Sequence, residues 1–111
     1  MDTAEQREIC NRYRSEFVPS DDQHKLGIAL QTLGRMPIYG TRLKAEGGTC
    51  GWYVFAGKDS YSKATDFYKP MCVEYLPEYC PLIIPYLGLE PGFKFIIDNN
   101  GYEDVWRATH A

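Results

Sequence analysis

The chain has 111 residues and a mass of 12.7 kDa, the size of one domain and too little for two independent cores. Hydrophobic residues make up 44% and charged residues 24%, which excludes a disordered or low-complexity chain. A net charge of -3 and a pI near 5.3 give no overall basic field, so neither a nucleic-acid backbone nor a membrane surface is expected as a partner.

Residues 1–8 are polar and acidic, without the basic start and apolar run of a secretory signal, so a cytoplasmic chain is expected. Residues 3–17 follow as a first helix, with Thr3 and Gln6 as a weak capping box and Ile9, Tyr13 and Phe17 four apart. Pro19 ends it. Over residues 22–33, Leu26, Ala29, Leu30 and Leu33 suit a helix, while the alternation of Leu26, Ile28 and Leu30 suits a strand. The helix is the stronger reading, and Gly27 weakens both.

Turn formers dominate residues 34–48 and leave room for a short strand over 38–43. Trp52, Tyr53, Val54 and Phe55 between glycines predict a strand over 51–56. Residues 58–69 read as a polar connection whose Tyr61, Phe67 and Tyr68 anchor it to the domain. Pro70, Pro77, Pro81 and Pro85 then interrupt the helical spacing of Val73, Leu76, Cys80, Ile83, Ile84 and Leu87, predicting two short helices or one kinked one. A turn over 90–93, a strand over 93–97, an Asn100-Gly101 hairpin turn and a return strand over 102–107 complete the chain, with residues 109–111 expected to fray. The expected fold is α+β, a small antiparallel sheet with helices packed on one face, in a single domain spanning 1–111. The longest apolar-rich stretch, residues 80–89, falls far short of the roughly 20 apolar residues that span a bilayer.

The chemistry-bearing residues are sparse. Cys10, Cys50, Cys72 and Cys80 form no CxxC pair, and His24 and His110 lie near neither a cysteine nor each other, so free thiols, no metal and no cofactor are expected. Gly47, Gly48, Gly51 and Gly57 lack the GK[ST] ending of a phosphate loop. Asp98, Glu103 and Asp104 are the sharpest charged feature, read as a solvated turn, as an acid–base pair, or as an acidic edge that docks a basic partner. Trp52, Phe93, Phe95 and Trp106 are expected in the core.

Three blocks carry a resemblance. They are Glu46-Gly-Gly-Thr-Cys-Gly-Trp-Tyr-Val-Phe-Ala-Gly57, Asp66-Phe67 with Pro70, and Tyr86-Leu-Gly-Leu-Glu-Pro-Gly-Phe-Lys-Phe95 followed by Gly101-Tyr-Glu-Asp-Val-Trp106. In order and spacing, across about residues 37–106, they resemble the immunity protein 33 family of bacterial polymorphic-toxin systems. The family pattern has His near the positions of Cys72 and Tyr75 and Trp at that of Phe93, which this chain lacks, so no role of those His residues carries over. The resemblance implies a cytoplasmic antidote that binds a cognate protein toxin without chemistry of its own. A small adaptor and an unrecognised enzyme are the other classes the composition admits. For a toxin contact the expected residues are Tyr61, Phe67, Tyr68, Asp98, Tyr102, Glu103 and Asp104, the aromatics giving affinity and the acids steering a basic toxin.

Overall fold

The structure, a computed structural model, describes residues 3–108. The expected fraying of residues 109–111, with His110, lies outside the described residues. Helix α1 (Ala4–Tyr13) precedes strands β1 (Lys25–Ile28), β2 (Ile38–Arg42), β3 (Thr49–Ala56) and β4 (Lys69–Cys72). After 3-10 turns at Val73–Tyr75 and Pro81–Tyr86, with the one-turn helix α2 (Leu76–Tyr79) between them, come β5 (Phe93–Ile97) and β6 (Glu103–Arg107).

All six strands join one sheet in the order β4-β1-β3-β2-β5-β6. The pair β1 and β3 is parallel and every other neighbour is antiparallel. This corrects the expected small antiparallel sheet with helices packed on one face: the sheet is larger, mixed in direction and the main body of a mixed α/β fold, and the helices are few and short. Two strands account for the difference. Residues 25–28 are extended because Leu26 and Ile28 both bury on one side of the sheet, where a strand's period of two puts them and a helix would not. β4 pairs only with β1 and starts in the stretch that reads as polar connection, and its Pro70 is tolerated because the strand is at an edge.

Helix α1 ends at Arg14, whose left-handed backbone (φ 59°) stops it short of the expected residue 17. Phe17 instead bridges Leu89, and the Val18 N–H donates to the Gly88 carbonyl at 2.8 Å. The prolines break residues 73–86 into short helical pieces, the longest the six-residue 3-10 segment Pro81–Tyr86. These turns and α1 cover one side of the sheet, where Leu26, Ile28, Ile38, Trp52, Val54, Phe95 and Ile97 meet Ile9, Val73, Leu76, Ile83, Leu87 and Leu89. Gly40 makes room for this layer, since a Cβ there would stand 2.2 Å from the Phe95 ring.

One cation is sealed inside. Arg42 is 3% exposed, and its guanidinium donates to the carbonyls of Cys50 (2.9 Å), Val18 (2.7 Å), Leu87 (3.1 Å) and Leu89 (2.7 Å). Trp52 Nε1 donates to the same Leu87 carbonyl at 3.0 Å. Burial lowers the arginine's affinity for its proton. Four carbonyls around one guanidinium offset that burial and fasten the segments around residues 18 and 87–89 to β2 and β3.

Candidate functional site

Strand alternation sorts the side chains. Residues 38, 40 and 42 of β2, 50, 52, 54 and 56 of β3, and 93, 95 and 97 of β5 turn to the helices and are buried. Tyr39 and Thr41, Tyr53 and Phe55, Lys94 and Ile96, and Asp104 and Trp106 turn to the other side, where no helix lies. Tyr39 and Phe55, opposite one another on β2 and β3, stack at 4.8 Å with planes 12° apart.

The connection after β3 covers part of this open face. Phe67 sinks to 4% exposure and packs against Phe55 at 5.9 Å, with Tyr61 at 5.7 Å and Tyr68 at 4.9 Å around it. Tyr68 meets Tyr53 edge-on at 5.2 Å, over Gly27, where a Cβ would come within 2.7 Å of the Tyr53 ring. Partial burial raises the Tyr68 hydroxyl's pKa. Tyr61 remains 56% exposed, and beside it Thr41, Leu43, Tyr53, Phe55, Tyr68 and Lys94 line an open groove of about 490 Å³. Leu43 is 54% and Trp106 38% exposed, so the open face continues to both margins of β2–β6.

The expected contact residues thus divide. Tyr61, Phe67 and Tyr68 form one cluster on the open face, with Phe67 as its buried support. Asp104 turns to the same face at the sheet's far edge. Asp98 and Tyr102 sit at the hairpin end, in a cleft of about 280 Å³ with Leu82, Pro85 and Tyr86. There the Asp98 carboxylate accepts from the backbone N–H groups of Asn100 (2.8 Å) and Tyr102 (2.9 Å), closing the turn.

Glu103 turns the opposite way from Asp104, toward the helices. It accepts from Arg12 at 2.6 Å, from Tyr86 Oη at 2.6 Å, and from Tyr13 Oη. Burial pulls its pKa up, but the Tyr13, Tyr86 and Arg12 donors outweigh it and leave the carboxyl below its ordinary range. Burial and the facing carboxylate push the Tyr86 hydroxyl's pKa upward. Glu103 is therefore a clasp between α1, the 81–86 turn and β6, and the three acids do not make one edge.

Sequence reasoning missed Tyr39, Leu43, Tyr53, Phe55 and Trp106 as parts of one surface. The signal was parity: Trp106 shares odd-even position with Asp104, opposite to the buried Val105. Trp52, Phe93 and Phe95 do lie in the core.

Little in the arrangement offers bond-making chemistry. All four cysteines are free; Cys10, Cys50 and Cys80 are buried, and burial pushes the Cys80 thiol up to about 11. The His24 Nδ1 atom is buried without a hydrogen-bond partner. Among the described residues no three His, Cys, Asp or Glu side chains could hold a metal, and no helix is long and apolar enough to cross a membrane.

The fold and this surface define a small sheet domain with one side packed by helices and the other an aromatic face that the connection after β3 covers only in part. The chain belongs to the Imm33-like domain family, whose model matches residues 5–108 and so takes in α1 as well as the blocks from residue 37 onward. The name is that of an immunity-protein family. No curated protein and no solved structure matches the chain.

Proposed function

We propose that this protein is a cytoplasmic immunity protein of a polymorphic-toxin system, which binds its cognate toxin one to one and blocks it without catalysis. The observation that carries this reading is the sheet face that no helix covers, where Tyr61, Leu43 and Trp106 stand exposed beside Tyr39, Tyr53 and Phe55 held by strand pairing. Rigid aromatics lose little entropy on binding and dominate the affinity of protein contacts. A blocking interface needs about 800 Å² on its own side, a patch that one face of a sheet this wide can supply. Family membership supports an immunity role over an adaptor's, and points away from catalysis.

On this reading Tyr61, Tyr68 and Asp104 touch the toxin and Phe67 holds the first two in place. Asp98, Tyr102 and Glu103 lie outside the contact. The test is co-expression with the toxin encoded beside this chain, scored by growth. Rescue that Tyr61→Asp abolishes, with the variant still folded, supports the reading. Failure of the native chain to rescue refutes it.

A further inference from the structure

The charges of this protein are segregated. All six lysines belong to strands or to the loops after β2 and β3, and none to α1 or the 73–86 turns: Lys25, Lys69 and Lys94 are on β1, β4 and β5, and Lys44, Lys58 and Lys63 are in the loops. Lys94 lines the aromatic groove, and Lys25 and Lys69 line its continuation past Tyr53 and Tyr68. Among the described residues no lysine is in an ion pair; the pairs are Arg12 with Glu8 and Glu103, and Arg107 with Glu90. The strands and loops that carry these lysines hold three carboxylates, Glu46, Asp59 and Asp66, and β6 turns a fourth, Asp104, to the open face, so lysines outnumber carboxylates there in a chain of net charge -3. The ten other described carboxylates lie on the helical side, the connecting turns and the hairpin.

A partner docked on the open face meets unpaired ammonium groups around an aromatic floor. An acidic surface gains on approach there and a basic one is repelled. Of the acids that would steer a basic partner only Asp104 turns to this face; Asp98 closes the hairpin turn, and Glu103 faces the helices and is paired with Arg12. We propose that the open face receives an acidic protein surface. This rests on the reading of the chain as a toxin-binding protein, and it reverses the sign of the toxin surface expected from the acids of the last hairpin.

The test uses the isotope-labelled full chain at low salt, titrated in turn with poly-L-glutamate, poly-L-lysine and oligothymidylate, with amide shifts mapped by NMR. Poly-L-glutamate is expected to shift the amides of Tyr53, Phe55 and Lys94. The variant with Lys25→Glu, Lys69→Glu and Lys94→Glu should bind it about tenfold or more weakly, as should the native chain once added salt shortens the Debye length to below about 8 Å. Shifts confined to other surfaces, tighter binding of poly-L-lysine at this face, or no binding of poly-L-glutamate overturns the proposal. Oligothymidylate displacing poly-L-glutamate from the face also overturns it, in favour of a nucleic acid. Because no toxin enters this experiment, its failure is distinct from a failure to rescue growth.

Discussion

Glu103 shows how one residue changes meaning between sequence and structure. In the chain it is one of three nearby acids; in the fold it is the acceptor for two tyrosines and an arginine from two other elements. Its carboxyl is held below the ordinary 4.5, so it adds stability that is full above that value and lost as the pH falls through the lower, folded one. Glu103→Gln is expected to cost about 1–2 kcal/mol at neutral pH and to flatten the acid limb of the stability curve, read by urea unfolding at several pH values. An unchanged acid limb would show that the clasp contributes nothing. Arg42 is a sharper case, since its removal takes this donor from the carbonyls of Cys50, Val18 and Leu89 in the core, while that of Leu87 keeps Trp52 and Ser20. Arg42→Leu should lower stability by about 3 kcal/mol or more, a loss visible in the same assay. Among the thiols, Cys72 alone is not buried, so iodoacetamide should add once to the native chain, at Cys72. Adducts at Cys10, Cys50 or Cys80 would mean that the core opens.

At the scale of elements, the close approaches decide what a strand can carry. Gly40→Ala would drive a methyl into the Phe95 ring, which is 1% exposed and has nowhere to go, at a cost of about 1–3 kcal/mol in thermal or urea melts. β3 and β5 were legible because aromatic and β-branched content or alternation agrees with turn residues at their ends, and β2 as the room left between turn formers. The short turns over 73–86 were legible from proline spacing alone. β1 misled because Leu26, Ala29 and Leu30 also fit a helix, and the partners that decide the matter, β3 and β4, are brought in from 20 or more residues away. β4 carries no pattern of its own and is extended only because β1 offers it an edge. Of the three aromatics read as anchors of the connection, Phe67 is buried and Tyr68 half-buried, while Tyr61 stands exposed. The floor of their cluster was not legible, because which face a strand residue takes follows from pairing register rather than composition.

The whole molecule is a sheet with one side closed by packing and one side left to solvent, and the two sides differ in charge as well as polarity. Net charge by itself concealed this, since -3 is the sum of a lysine-rimmed face and an acidic remainder. Asp104 is the instructive exception on that face: Asp104→Lys should leave thermal stability almost unchanged and speed association with an acidic toxin, and slower association would count against the assigned sign. The most direct test of the central claim is calorimetric titration of the purified chain into the toxin encoded beside it, comparing the native chain with a Leu43→Glu, Tyr61→Glu variant. One-to-one binding and loss of toxin activity at equivalence are expected, with affinity falling by about a hundredfold or more in the variant while its melting temperature holds. Equal affinity of the native and variant chains, or a toxin still active when saturated, would contradict it.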